Sequence, residues 1–250
     1  METVGRVTAA ALIIGDEILS GRTQDVNLNA IAKFVGAHGV DLCEARVVGD
    51  IAEEIITTVN HLRARYDYVF TTGGIGPTHD DITADCIAEA FGVALHEDQE
   101  ILDSMSARFP LNAARRRMAR IPDGGSKVKN IVGGPPGFQI GNVFVLAGVP
   151  SIMRGMLEDC GWRLKGGAVV IARTVKVEGS GEGVIAEPLE TVAKAHPGMS
   201  LGSYPFFGDG GYGANLVIRG RDPAEVEATV AELLAALKSV GVERMTEVDG

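Results

Sequence analysis

Thr71-Thr72-Gly73-Gly74-Ile75-Gly76-Pro77-Thr78-His79-Asp80-Asp81-Ile82-Thr83 is the stretch on which the reading of this chain turns. The apolar run Tyr68-Val69-Phe70 precedes it and a helical pattern, Ala84 to Phe91, follows. The order is therefore strand, glycine-rich loop, helix. Gly73, Gly74 and Gly76 leave backbone N–H groups uncovered and let the chain come close to a ligand. The helix behind them adds unpaired N–H groups and the positive end of its dipole. Such a loop is suited to hold a phosphate. Asp80 and Asp81 at the helix start have two readings. One of them can cap the helix, or one can ligate Mg²⁺ opposite the phosphate. The spacing is neither Gly-x-Gly-x-x-Gly nor Gly-x-x-x-x-Gly-Lys, so the usual dinucleotide and P-loop readings do not apply.

Working back from the loop, Val7 to Ile14 is a short apolar run ending at Gly15-Asp16-Glu17. It reads as a buried strand with acids at its carboxyl end, where open α/β sheets bind ligands. A helix with Leu28, Ile31, Ala32 and Val35 on one face stops at Gly39. Val40 to Val48 is the next strand. Asp50 with Glu53 fits a capping box, and Ile55, Ile56, Val59 and Leu62 form the stripe of the helix it would start. Asp67 to Thr72 is the third strand. The alternation β-α-β-α-β-α predicts a three-layer α/β/α fold with a mostly parallel sheet.

Beyond the loop, Glu97 to Phe109 and Leu111 to Ile121 read as helices split by Pro110. Val128 to Val132 and Val143 to Leu146 read as strands, separated by Gly133-Gly134-Pro135-Pro136-Gly137-Phe138. Pro150 suits the first turn of a helix reaching Gly161. Lys165-Gly166-Gly167 marks a boundary, so residues 1–165 form the α/β domain and 168–250 a small α+β domain. In the latter, Ala168–Val177, Met199–Tyr204 and Ala214–Arg219 are strands and Gly183–Ala195 a helix. Pro223–Val240 is a helix with the stripe Val226, Val230, Leu233, Leu234, Leu237. That stripe, on a domain too small to bury much alone, predicts a homo-oligomer, a dimer first.

Net charge is 23 − 33 = −10, which argues against nucleic-acid binding as the main task. Cys43, Cys86 and Cys160 are far apart with no CxxC pair, which argues against a disulfide framework and a zinc ribbon. Val7–Ile14 is too short to span a membrane and no A-x-A site follows it. The expectation is a cytoplasmic protein with no membrane partner. His38, His61, His96 and His196 have no metal spacing, and no HExxH or GxSxG occurs. Arg115, Arg116, Arg117 and Arg120 read as a solvated helix face, or as Arg116 and Arg120 meeting a ligand phosphate one turn apart.

Thr-Gly-Gly-x-Gly followed by Asp-x-Thr resembles the molybdopterin-binding (MoaB/Mog-like) domain family, and Gly76-Pro77-Thr78-His79-Asp80-Asp81-Ile82-Thr83 is most similar to the amino-terminal region of CinA competence/damage-inducible proteins. Gly15-Asp16-Glu17-Ile18-Leu19-Ser20-Gly21 resembles the family's first signature, and the resemblance implicates Asp16, with Glu17 and Asn27, in the pterin or nucleotide site. It places Asp50 among the active-site acids, a role compatible with capping. It makes Gly73, Gly74, Gly76, Thr78, Thr83, Gly148 and Pro150 ligand-binding, with Asp81 and Asp16 as Mg²⁺ ligands. Asp81, Asp50 and Asp16 are then the catalytic candidates. The segment Ala147-Gly148-Val149-Pro150-Ser151-Ile152-Met153 departs from the family form at Ala147, where proline is usual, and at Ile152, where glutamate is usual. His79 replaces a usual lysine.

In the second domain, Gly181-Glu182 and Ser203-Tyr204-Pro205-Phe206-Phe207 are similar to CinA segments, with Gly183 in place of a serine. The deamidase domain of longer CinA proteins has no counterpart in these residues, so that activity is expected to be absent. Three functions compete: binding of molybdopterin or an adenine nucleotide in cofactor metabolism, hydrolysis of an ADP-ribose-type diphosphate, and a non-catalytic binding module favoured by Ile152.

Overall fold

Ala9–Ile14 of the first strand is apolar because it is buried on both faces of a parallel sheet. In a computed structural model, residues 6–108, 110–208 and 211–249 are described. The chain divides into two compact units, Met1–Gly167 and Ala168–Gly250.

The first unit runs β1 (Val7–Ile14), α1 (Asp16–Leu19), α2 (Asn27–Ala37), β2 (Val40–Val48), α3 (Ala52–Arg65), β3 (Tyr68–Thr72) and α4 (Thr83–Phe91). It continues with β4 (Leu95–Glu97), α5 (Gln99–Ser106), α6 (Ala113–Arg116), β5 (Arg120–Pro122), β6 (Ser126–Val128), β7 (Gly137–Ile140), β8 (Val143–Leu146) and α7 (Pro150–Cys160). Six strands form one sheet in the order β2-β1-β3-β8-β7-β6. The pairs β1–β2, β1–β3 and β3–β8 are parallel, and β7 is antiparallel to both β8 and β6. Residues alternate between two cores. Leu12, Ile14 and Val69 pack with Ile55, Val59 and Leu62 of α3 and Ile87 of α4. Ala9, Ala11 and Phe70 pack on the other face with Ile31 and Val35 of α2 and Met153 of α7. There Phe70 and Phe144 stack with ring centroids 4.8 Å apart. This is the three-layer α/β/α arrangement with a mostly parallel sheet.

The second unit contains β9 (Ile171–Glu178), α8 (Glu182–Ala195), β10 (Ser200–Gly208), β11 (Gly211–Gly220), α9 (Pro223–Ser239) and β12 (Met245–Asp249). Its antiparallel sheet has the order β10-β11-β9-β12, which leaves β10 outermost, with Pro205 opposite Ala214. Asp222 starts α9 by accepting from Ala224 N at 2.8 Å, with Pro223 in the first turn. Val226, Val230, Leu233 and Leu237 of α9 are buried against Val175, Leu216 and Ile218 of the sheet. The stripe that suggested a dimer is therefore consumed by the unit's own core.

Several expected elements differ. The region expected as two helices holds α5, α6 and the short ladder of β4 with β5; Phe109, the expected helix end, lies outside the described residues. The strand expected over Val128–Val132 ends at Val128, and β7 and β12 were not expected. Among the described residues, no helix is long and apolar enough to cross a membrane.

Because the second unit has a core of its own, Leu216→Ala should destabilise it by about 2–5 kcal/mol, the usual range for a buried leucine. Hydrogen exchange should speed up in the amides of Ile171–Glu178 and stay unchanged in those of Val7–Ile14.

Candidate ligand-binding cleft

The carboxyl ends of β2, β1, β3 and β8 lie along one edge of the sheet, since these strands are parallel. The chain order reverses between β1 and β3, and a crevice opens where adjacent connections leave toward opposite faces. Three connections meet there: Gly15-Asp16-Glu17 after β1, Gly73–Gly76 after β3 and Ala147-Gly148-Val149 after β8.

Gly73 occupies the tightest point. Its N–H donates to Leu146 O at 3.2 Å, its φ is +109°, and a Cβ would lie 2.0 Å from Ile14 O. Only glycine fits between these two strand ends. The buried Thr83 hydroxyl donates to Gly73 O at 2.9 Å, and Thr83 N donates to Gly74 O at 3.0 Å. The first residue of α4 thus straps the loop down. The N–H groups of Gly74, Ile75 and Gly76 have no protein acceptor among the described residues. These three residues line a cleft of about 530 Å³.

Gly73, Gly148, Pro150, Asp81 and Glu17 also line it. Asp16, Asp50, Asn27, Thr78 and Thr83 lie outside its lining, and Asn27, Thr78 and Thr83 bond residues that form it. Asn27 Nδ2 donates to Thr72 Oγ1 at 2.9 Å and to Gly148 O at 2.7 Å, tying α2 to the ends of β3 and β8. Its Oδ1 is buried without a hydrogen-bond partner. Thr78 turns inward on Asp81: its N and Oγ1 donate to Asp81 Oδ2 at 2.8 and 2.5 Å. Arg117 Nη2 donates to Asp81 O at 2.9 Å. The Asp81 carboxylate is thereby fixed beside Gly76, where a Cβ would lie 2.6 Å from it.

Neither Asp80 nor Asp81 caps α4, whose N-cap position is Ile82 with no side-chain cap. Asp50 does not cap α3 either, which begins after Ile51. Its Oδ2 accepts from Asp16 N at 3.1 Å, and its own N–H donates to Asp16 Oδ1 at 3.3 Å. This reciprocal pair joins the ends of β1 and β2. Burial raises the Asp50 carboxyl above its ordinary value, and the negative charges of Asp16, Glu17 and Asp80 add to the effect. Arg116 and Arg120 meet carboxylates instead of the cleft: Arg116 pairs with Glu97, and Arg120 holds Asp85 through two bonds of 2.7 Å.

Among the described residues, no three His, Cys, Asp or Glu side chains are grouped to hold a metal. Glu17 and Asp81 are the cleft's carboxylates. Ile152 also lines it, at the position where glutamate was expected to matter. Pro77, Gly133, Pro135, Pro136, Ala147 and Val149, all from quoted segments, line it too, and Thr23, Met118, Asn130 and Met156 complete the wall without having been singled out. Asn130 was hidden inside an expected strand and Met118 inside an expected helix; no residue pattern distinguishes either.

The raised Asp50 carboxyl has a definite pH consequence. Between its unfolded and native values the native state binds more protons, so stability falls as pH rises through that window. Asp50→Asn keeps an acceptor for Asp16 N and removes the half-buried charge. In metal-free buffer its urea midpoint should exceed the parent's at about pH 7 and match it at about pH 3, below both values.

Comparison with known proteins agrees with this fold. Residues 10–165 match the family described as "Probable molybdopterin binding domain", and residues 170–245 match "FAD synthase, middle domain". A CinA-like protein of Gemmatimonas aurantiaca is 33% identical over 242 residues, covering 90% of this chain and 56% of its own length. The chain thus spans about half the length of this CinA-like relative. A protein of Thermococcus kodakarensis is 34% identical, with 90% of this chain and 95% of that protein covered. The crystal structure of CinA from Thermoplasma acidophilum aligns with a TM-score of 0.59 at 32% identity, covering 63% of this chain and 98% of that one. With the family model matching most of the first unit, and the Thermococcus protein and the Thermoplasma CinA chain matched nearly end to end, the chain belongs to the molybdopterin-binding domain family, in its CinA-like branch.

Proposed function

We propose that the cleft binds a pterin or adenine nucleotide through its phosphate, together with Mg²⁺, and that a molybdopterin-type ligand places the protein in molybdenum cofactor metabolism. The observation that carries this reading is the set of three cleft-lining N–H groups, on Gly74, Ile75 and Gly76, without a protein acceptor, beside a fixed carboxylate on Asp81. Peptide N–H groups in such a loop hold phosphate oxygens. Mg²⁺ needs only one or two carboxylates and completes its shell with water and phosphate oxygens. Asp81 would hold it, with Glu17 or Asp16 as the second acid. The bound ion would neutralise phosphate charge and polarise a P–O bond. Thr78 and Arg117 orient Asp81, and Asn27 and Thr83 hold the two loops that frame the phosphate.

Asp81→Asn tests this. The amide oxygen still accepts from Thr78, so the melting temperature of the ligand-free protein should stay nearly unchanged. Calorimetry should find Mg²⁺-dependent binding of molybdopterin, AMP or ADP-ribose weakened at least about tenfold, or about 1.4 kcal/mol. Equal affinity in variant and parent would remove Asp81 from the site.

A second reading, diphosphate hydrolysis, depends on Ile152. Hydrolysis needs an aligned water and a base or second metal beyond phosphate binding. Isoleucine can neither take a proton nor ligate a metal. The protein should therefore bind ADP-ribose while hydrolysing it slowly or not at all, and Ile152→Glu should gain activity. Turnover by the parent on the order of 1 s⁻¹ or more would make it a pyrophosphatase.

A further inference from the structure

Next to the cleft is a second cavity, of about 570 Å³. Asn130, Gly133 and Pro136 line both, so the segment between them is a partition. Neither the glycine loop nor Asp81 reaches the second cavity. Its walls come from α5 and from the chain after β6.

Two properties of the walls define what would fit. The first is an apolar surface made by Ile101 and Met105, which are 4% and 2% exposed, with Ile131 and Pro136 opposite. The second is positive charge. Arg108 and Lys129 both line the cavity, and neither side chain has a carboxylate partner among the described residues. The other charged wall residues, Lys127 and Glu100, pair with one another, and Lys127 also bonds Asp98 at 3.0 Å. Two cations without a carboxylate partner among the described residues, beside one apolar wall, stand out in a chain of net charge −10.

Arg108 is also positioned. Gly133 has φ +100°, and a Cβ there would lie 2.8 Å from Arg108 Nη1. The bare glycine lets the guanidinium rest on the partition. The partition keeps its shape through Asn130, whose Nδ2 donates to Gly133 O at 2.7 Å and whose Oδ1 accepts from Val132 N at 3.1 Å.

We infer that this cavity is a second ligand site, for a small organic anion: an apolar ring or short chain lies against Ile101, Met105 and Pro136, and its phosphate or carboxylate is held by Arg108 and Lys129. Arg108 offers the planar fork that matches either anion, and Lys129 adds a point charge. The inference is independent of what the glycine-loop cleft holds.

The test is an amide-resolved NMR titration of the full chain with phenyl phosphate, benzoate and the neutral benzyl alcohol. At least one anion should give saturable shifts in Ser104–Arg108 and Lys127–Ile131, and benzyl alcohol should bind at least about tenfold more weakly, which is about 1.4 kcal/mol. Whichever of phenyl phosphate and benzoate binds more tightly identifies the anion class. The double variant Arg108→Gln, Lys129→Gln, with its fold checked by the same spectra, should lose at least about tenfold in affinity. Shifts confined to Gly74–Asp81, no shifts with either anion, or unchanged affinity in the double variant would overturn the assignment.

Discussion

Three strand ends converge on Gly73. The Leu146 carbonyl receives its N–H on one side, and on the other the Ile14 carbonyl oxygen stands 2.0 Å from where a Cβ would lie. Every other element of the cleft is referred to this contact. It sets how closely β1 and β8 flank β3, and so where Glu17 and Gly148 stand relative to the loop. Thr83 then fixes the loop to α4 by bonding Gly73 O, and Asn27 fixes Gly148 from the far side. The glycine at this point serves packing first. Among the described residues, the scaffold does not use the amides of Gly74, Ile75 and Gly76, which leaves them for the proposed phosphate.

The charge distribution at this edge follows from the same convergence. Parallel strands bring Asp16, Glu17 and Asp50 to one end, where their repulsion and burial raise the Asp50 carboxyl. The backbone offsets part of this cost, because Asp16 and Asp50 each accept the other's N–H. Positive charge brought to this edge would reduce the remaining repulsion.

Much of this was legible in sequence where burial or local chemistry dictates structure. Ala9–Ile14 and Val143–Leu146 are apolar because both faces are covered, and Pro150 and Asp222-Pro223 mark helix starts through local backbone rules. Short ladders were not legible. Leu95–Glu97 becomes a strand only because Arg120–Pro122 pairs with it, and Gly137–Ile140 is a strand that opens on a glycine. The site failed in the same way. Asp50 and Glu53 satisfy a capping-box pattern, yet Asp50 is engaged by a residue 34 positions away. Arg116 and Arg120 have helical spacing, yet α6 ends at Arg116 and Arg120 lies in β5, so they diverge toward Glu97 and Asp85. Glycine spacing identified the cleft's floor; its far wall is built by contacts no local pattern encodes.

The outer strand of the second unit carries a further consequence. A nine-residue strand with an open side is a template on which another extended chain can add, and sheets that grow this way end in aggregates. Pro205 sits in the middle of β10 and has no N–H to offer. It interrupts the row of donors that an incoming strand would need, while the inner side of β10 keeps its ladder to β11. Proline at this position is one of the few residues that can stay in a paired strand and still make its free margin a poor seam. Its replacement by a β-branched residue would leave the fold intact and turn that margin into an adhesive one.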